Sequence, residues 1–348
     1  MNLSSTKKQI KNVISKWDGP VILAYSGGKD SSTVLKLVFN VLLDNRHLAK
    51  KITVIYCDTK VENPVLDKFV KQTLKALKQE AKTKVPGLKV KILTPALSQR
   101  YFVRIIGRGY PPPTSFFRWC TKDLRIRPVQ RFVKMQGGRP LIIVGSRQGE
   151  SAQRDRVLVR AGGKENIRPQ IQRQIDGGRE THLYLPILSY SVTDVWECLS
   201  SLSVPKSIDV HRLAELYRHG GGECPMIRET NDRPCASARF GCWVCTVVRR
   251  DRSAENLVQS GYNHLKGYYD FRNWISEIRN DLRLRCKKRR NGQSAPGPFT
   301  LEARRLILRR VRALEKTIGH SLISNSEELY IKKLWAADRS CSQYMEME

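Results

Sequence analysis

The sequence predicts an α/β fold: a doubly wound, mainly parallel sheet, followed by a basic helical C-terminal part that carries a cysteine cluster. Three observations carry this expectation. Short apolar runs of strand length alternate with segments of helical periodicity over residues 1–200. The first of those runs breaks at a glycine pair and restarts at once as a helix. Four cysteines then fall within 22 residues of Gly- and Pro-rich sequence, and basic helical segments follow. The expected organisation is an α/β domain over 1–200, a cysteine segment over 201–252 and a basic helical region over 253–348.

Taken in order, residues 3–17 read as a capped amphipathic helix. Val21-Ile-Leu-Ala24 reads as a buried strand. Ser26-Gly27-Gly28 ends it, and Val34, Leu35, Leu37, Val38 and Val41 mark one buried face of the next helix. Glycines at a strand-to-helix turn let backbone N–H groups face an anion, and the helix N-terminus adds its positive dipole end. Ser26, Ser31 and Ser32 supply hydroxyls, Lys29 a point charge and Asp30 a carboxylate. The string has the chemistry of a phosphate cradle, although a glycine pair at this place also makes an ordinary tight turn. It lacks the spacer and terminal Gly-Lys-Ser/Thr of a Walker A loop.

Ile52–Cys57 reads as the second strand, with Cys57 inside the apolar run and Asp58 at its end. An acid there is placed to contact ribose in a dinucleotide-type fold, or simply caps the strand. Residues 65–82 read helical, and Val90–Leu93 is the third strand. Arg-Gly-Tyr-Pro-Pro-Pro, within residues 100–117, requires a loop. Arg118-Trp119-Cys120 follows, then a helix through Met135. Leu141–Val144 runs into Gly145-Ser-Arg147, with Glu150 and Arg154 beyond, a second arrangement suited to anions and equally to a solvated surface. Residues 155–180 show no periodicity and read as a mobile basic loop, a lid or a nucleic-acid contact.

Cys224, Cys235, Cys242 and Cys245 are spaced C-x10-C-x6-C-x2-C among Gly220, Gly221, Gly222, Pro225, Pro234 and Gly241. Turns of this kind bring four thiolates to one point, as zinc or a [4Fe–4S] cluster requires. Cys198, Cys286 and Cys341 lack partners at metal spacing and read as structural. Beyond residue 253, Tyr262, Tyr268, Tyr269, Phe271 and Trp274 precede Arg279, Arg283, Arg285 and Lys287-Lys-Arg-Arg290. Residues 301–314 then alternate arginines with an apolar stripe of Leu306, Ile307, Val311 and Leu314. Such segments suit contacts to backbone and bases, or form a core with a solvated charged face. The tail after Ser342 is acidic and expected to be disordered.

Lys and Arg number 63 against 32 Asp and Glu, a net charge of +31, which points to a polyanionic partner, nucleic acid first. No run of 18 apolar residues and no charged-then-apolar leader is seen, so neither membrane spanning nor secretion is expected. Nine cysteines without a leader point to a reducing compartment, hence a cytoplasmic protein.

The full Ser26-Gly-Gly-Lys-Asp-Ser string resembles the PP-loop of ATP pyrophosphatases, which cleave ATP between the α- and β-phosphates. With Asp58-Thr59, Arg118-Trp-Cys120 and Gly145-x-Arg147-x-x-Glu150-Ser151-x-x-Arg154, it resembles the phosphoadenosine-phosphosulfate (PAPS) reductase superfamily over residues 20–200. That resemblance implies an adenine nucleotide alpha hydrolase-like fold, with Ser26 to Ser32, Asp58, Arg147 and Arg154 about the nucleotide. Glu223-Cys-Pro225, Ser237-x-Arg239-Phe-Gly-Cys-Trp-x-Cys-Thr-Val-Val248 and Gly297-Pro-Phe-Thr300 are similar to the PP-loop proteins of DNA phosphorothioation, the DndC type and its relative SspD. This implies ATP with Mg²⁺, a [4Fe–4S] cluster on Cys224, Cys235, Cys242 and Cys245, a DNA substrate, a cysteine desulfurase and other phosphorothioation subunits. Catalytic roles fall on Lys29, Asp30 and Cys120. Cys120 is expected near the ATP and outside the cluster, though it also suits a ligand or sulfur carrier. Transfer RNA thiolation, PAPS reduction and non-enzymatic nucleic-acid binding remain the alternatives. PAPS reduction calls for a Glu-Cys-Gly-type motif near the C-terminus, where Cys341 sits in Ser-Cys-Ser.

Overall fold

The computed structural model describes residues 2–148, 171–176, 179–221 and 240–342. Helix α1 (Leu3–Lys16) is capped by Asn2, whose side chain accepts the Ser5 N–H at 3.0 Å. Then follow β1 (Val21–Ala24), α2 (Lys29–Asp44), β2 (Ile52–Cys57), α3 (Pro64–Lys84) and β3 (Lys89–Leu93). Next come α4 (Arg127–Gln136), β4 (Leu141–Val144), β5 (Ile171–Asp176) and β6 (Arg179–Tyr184). The sheet order is β3-β2-β1-β4-β6-β5; five strands are parallel and β5 pairs antiparallel with β6. Val21 is in register with Ile52 on one side and Leu141 on the other.

Central strands of a parallel sheet are covered on both faces, so β1 and β2 are near-continuous apolar runs and both are buried. β3 lies at the edge, and its Lys89 and Lys91 are exposed, which blunts that edge against further pairing. One face of the sheet packs on α1, α2, α3 and on α5 (Val192–Ser201) and α6 (Val210–His219). The other face, through Ile22, Ile55 and Ile142, receives Phe132 and Val133 of α4. Strand order reverses between β1 and β4, and the crevice at their carboxyl ends is where such folds bind ligands.

A second core is helical. It joins α7 (Arg252–Gln259), α8 (Lys266–Ile278), α9 (Leu301–Ile318) and α10 (Asn325–Ser342) to a wide π-type turn at Val103–Gly107. That turn lies in the stretch expected as loop. Its carbonyls are met from the C-terminal helices, Ile106 O by the Trp335 indole N–H at 2.7 Å and Gly107 O by Arg304 at 2.9 Å. The two cores meet at the loop after β2, where the Trp243 N–H donates to Val61 O at 3.0 Å.

Three expectations are corrected. Residues 171–176 and 179–180, expected within a mobile loop, are strand, paired from Ile171↔Tyr184 to Asp176↔Arg179. The C-terminal aromatics are largely core: Tyr268 and Phe271 are buried with Ile275 at helical spacing, and the half-buried Tyr262 and Trp274 pack against them. Leu306 is exposed, whereas Ala303, Ile307, Val311 and Leu314 form the buried stripe of α9 and Arg304 turns inward with them. The remainder of the segment 155–180 and the tail after Ser342 lie outside the described residues. Among the described residues no helix is long and apolar enough to cross a membrane.

Candidate nucleotide site and the adjoining cysteine turn

The β1–α2 turn is shaped by close approach. Gly27 has φ +80°, and a Cβ on it would stand 2.0 Å from the Val70 side chain, so both conformation and space demand glycine. Gly28 is the N-cap of α2, in extended conformation with no side chain to cap the helix. At the end of β4, a Cβ on Gly145 would lie 2.7 Å from the Asp30 carbonyl and 2.8 Å from Ser31 N. The end of β4 and the first turn of α2 are therefore packed backbone to backbone at the switch point.

The Ser31 hydroxyl organises the turn. It accepts the Ser26 N–H at 3.2 Å, lies 3.0 Å from the Ser26 hydroxyl and reaches Gly28 O at 3.0 Å. Ser26 is exposed at the rim, while Ser32 is fully buried. Lys29 and Arg147 are buried, and both meet Asp30. Arg147 Nε donates to Asp30 Oδ1, and Lys29 Nζ stands 3.5 Å from Asp30 Oδ2. Two cations against one carboxylate, at the positive end of a helix dipole, leave the cradle with a net attraction for anions.

Asp58 closes the next strand. Its N–H donates to Leu93 O at 2.9 Å, and its carboxylate accepts the Lys60 N–H at 2.8 Å and is paired with Lys60 Nζ at 3.0 Å and Lys71 Nζ at 3.3 Å. Burial acts to raise this carboxyl, but the Lys60 bonds and the two ammonium charges outweigh it and hold it below its ordinary value. Held by Lys60 and Lys71, the Asp58 carboxylate anchors the loop after β2.

That loop carries the cysteine turn. Glu62 pairs across an isolated bridge with Cys242, and the Cys245 N–H returns to Cys242 O at 3.0 Å. Cys242 Sγ lies 3.6 Å from the Thr59 hydroxyl and 3.8 Å from an Arg125 nitrogen. Glu62 is buried, accepts Thr59 Oγ1 at 3.0 Å and holds Arg125 at 2.8 and 3.0 Å. Burial, then the Glu62 carboxylate, push the Cys242 thiol up to about 12 against the opposing pull of Arg125. Arg272, 2 % exposed, clamps the outgoing chain by donating to the carbonyls of Cys245 at 2.8 Å, Arg249 at 3.1 Å and Val248.

Cys120 stands at the other side of the turn. Burial raises its thiol first and the nearby Cys245 raises it further, and the buried Tyr101 ring lies within electrostatic reach of Cys120, Cys245 and Cys242. The structure thus groups Cys120 with the cysteine turn. Cys57, raised to about 12 by burial, donates to Leu124 O at 3.1 Å, and Cys198 is fully buried. Arg154, Glu150, Cys224 and Cys235 lie outside the described residues. Among the described residues no group of three or more His, Cys, Asp or Glu is arranged to hold a metal.

Glu62 and Tyr217 carry no sequence signal for this site. Glu62 is one acid in a short loop, and Tyr217 belongs to the apolar stripe of α6 with Leu213 and Leu216. Only tertiary packing brings the Tyr217 hydroxyl to the Lys29 N–H, at 3.1 Å.

Residues 20–248 match the model of the phosphoadenosine phosphosulfate reductase domain. The chain belongs to that family. The match runs from the start of β1 to just past the cysteine turn, so family membership takes in both parts of the site. A curated relative, an uncharacterized protein of Methanocaldococcus jannaschii, is 27 % identical over 242 residues, which is 69 % of this chain. The aligned stretch spans 38 % of that relative's length. Among solved structures, PAPS reductase from Candida auris in a phosphate complex is 11 % identical, covering 57 % of this chain and 80 % of that one at a TM-score of 0.37. An FMN adenylyltransferase from Candida glabrata with FAD and inorganic pyrophosphate is 15 % identical, covering 67 % of each chain at a TM-score of 0.38.

Proposed function

We propose that this chain is an ATP pyrophosphatase that activates a DNA backbone phosphate for sulfur insertion, as in DNA phosphorothioate modification. The observation that carries the reading is the joining of two chemistries by one short loop. Asp58-Thr59 follows β2, the strand paired with β1 that leads into the Ser26–Ser32 cradle, and Thr59 and Glu62 meet Cys242.

Replacing a non-bridging phosphate oxygen with sulfur requires a better leaving group than an oxide. The DNA phosphate oxygen attacks the α-phosphorus of ATP, pyrophosphate leaves, and the DNA phosphate becomes adenylylated. A persulfide sulfur from the desulfurase then attacks the DNA phosphorus, AMP departs with the replaced oxygen, and a second thiol breaks the S–S bond, leaving the phosphorothioate and a disulfide. The cradle's part is to stabilise charge building on the pyrophosphate, through the α2 N-terminus, Lys29 and the Ser26 and Ser31 hydroxyls. Arg147, on Asp30, fixes the first turn of the helix. Magnesium, when bound with ATP, would neutralise charge developing on the phosphates.

The cysteine turn suits a metal or iron–sulfur cluster. Cys242 and Cys245 share one tight turn with Cys120 near it, and thiolates grouped in this way are the ligands that zinc and iron–sulfur clusters take. Cys242 and Cys245 would hold the cluster together with cysteines of 224–235, and its chemistry would be sulfur delivery or structural support. A cysteine desulfurase is the proposed sulfur source, and other phosphorothioation subunits provide DNA specificity.

The test is pyrophosphate release from ATP by anaerobically purified protein with Mg²⁺, DNA, desulfurase and partner subunits. Release is expected, with Lys29→Ala lowering it about 100-fold, the scale of one lost transition-state donor. No release, or sulfur appearing in tRNA instead of DNA, sinks the reading. A colourless protein containing zinc removes the iron–sulfur part alone.

A further inference from the structure

Tyr217 sits where a phosphate oxygen should. Its hydroxyl accepts the Lys29 N–H at 3.1 Å, and Lys29 is the first residue of α2. The first N–H groups of a helix have no partner within it, and these are the donors an anion-binding terminus offers. Lys29 Nζ lies 5.0 Å from the centre of the Tyr217 ring. A Cβ on Gly28 would stand 3.1 Å from the same hydroxyl, so the missing side chain of Gly28 leaves room for that oxygen. Helix-end amide, ammonium and glycine are together the environment the cradle would give a phosphate.

The far side of the ring is also engaged. Trp196 and Phe240 meet Tyr217 edge-on, at 5.6 Å and 5.4 Å between centroids. Phe240 is two residues before Cys242, and a Cβ on Gly220, at the end of α6, would lie 2.9 Å from its ring. In a close-packed interior a ring wedged between two others moves only if they move too.

We propose that the Tyr217 hydroxyl is a competitor for the pyrophosphate group at the α2 N-terminus, and that pyrophosphate, by displacing it, shifts Phe240 and the Cys242 turn. A neutral hydroxyl holds one amide; a multiply charged phosphate draws on the amide, the helix dipole and Lys29 together, so the exchange favours the phosphate. Filling the cradle thereby changes the setting of the cysteines. This rests on the reading of the cradle as a pyrophosphate site.

The experiment titrates inorganic pyrophosphate with Mg²⁺ into the anaerobically purified full chain, for wild type, Tyr217→Phe and Lys29→Ala. Tyr217→Phe keeps the ring and its packing and removes only the competing oxygen. It is expected to bind pyrophosphate about fivefold tighter, the factor that one net hydrogen bond corresponds to. Lys29→Ala is expected to lose binding, which locates the probe in the cradle. Hydrogen exchange in a peptide covering 240–248 should change on adding pyrophosphate to the wild type, and by less in Tyr217→Phe. Wild-type binding with equal or weaker affinity in Tyr217→Phe overturns the competition, even if that variant melts lower, and leaves the cradle standing. An unaltered 240–248 peptide overturns the relay. Absence of pyrophosphate binding in the wild type overturns the cradle and the inference together.

Discussion

Burial alone would raise the Asp58 carboxyl, yet the Lys60 bonds and the Lys71 charge reverse the effect and leave it depressed. Its unfolded value is about 3.9. A carboxyl depressed in the folded state stabilises the fold above its unfolded pKa, and that contribution is lost as pH falls through the folded value. Asp58→Asn is therefore expected to cost about 2 kcal/mol at neutral pH, the scale of hydrogen bonds to a charged group. The deficit should shrink as pH falls from the unfolded value of about 3.9 through the depressed folded value, where the wild-type carboxyl takes up its proton. Urea unfolding of both proteins at pH 7 and pH 3 checks it; an equal deficit at both would mean that shape, not charge, explains the residue. The position of Asp58 at a strand end was legible in the sequence. Its partners were not, because Lys60 reaches it through a backbone turn at φ +68° and Lys71 from the second turn of α3.

The Glu62–Arg125 pair links elements: the loop after β2, the turn at Thr121–Ile126 and the cysteine turn. Its halves are unequal. The Glu62 side chain is 5 % exposed and that of Arg125 44 %, so an orphaned arginine finds water whereas an orphaned glutamate stays buried. Arg125→Ala should thus destabilise by about 3 kcal/mol, the cost of an uncompensated buried charge, and Glu62→Gln by about 1 kcal/mol. The double variant should recover part of the Arg125→Ala loss, since the buried charge is gone; denaturant midpoints of the three variants decide it. Legibility follows the same divide between local and distant causes. The strands β1 and β2 and the helix α3 were readable because burial on both faces, or on one stripe, writes a period into the sequence. β5 was not, because Ile171-Gln-Arg-Gln-Ile-Asp176 has only two apolar residues. In the sequence, Gly177-Gly178 between the paired Asp176 and Arg179 is a hairpin signal. In α8, Tyr268, Phe271 and Ile275 carried helical core spacing that the nearby arginines obscured. The use of Arg272 as a carbonyl clamp depends on contacts that no local pattern encodes.

At the scale of the molecule, a net charge of +31 is spent unevenly. Arg272, Arg279, Arg285 and Arg304 donate to backbone carbonyls inside the second core or at its edge. Lys287, Lys288, Arg289, Arg290, Arg309 and Arg310 are among those that remain exposed. The aromatic contribution moves elsewhere. Phe116 is 99 % exposed on a loop whose neighbours are pinned: Trp119 donates to Pro111 O at 3.0 Å, Thr246 to Pro113 O at 2.7 Å, and Phe117 stacks on Tyr110. A ring presented on an anchored loop costs little ordering when a base stacks on it, whereas a duplex keeps its bases stacked on one another. If the proposed DNA substrate is engaged here, the two features separate in binding measurements. Replacing Lys287–Arg290 by four alanines should lower the steepness of the log K against log salt plot by up to about 3 for single strands, at roughly 0.7 per phosphate contact. Phe116→Ala should leave that slope unchanged and weaken single-strand binding by about 1–3 kcal/mol, the worth of one base stack. Fluorescence anisotropy with a labelled oligonucleotide, single-stranded and then annealed, across a salt series reads both. Equal weakening on the duplex would remove base stacking as the role of Phe116.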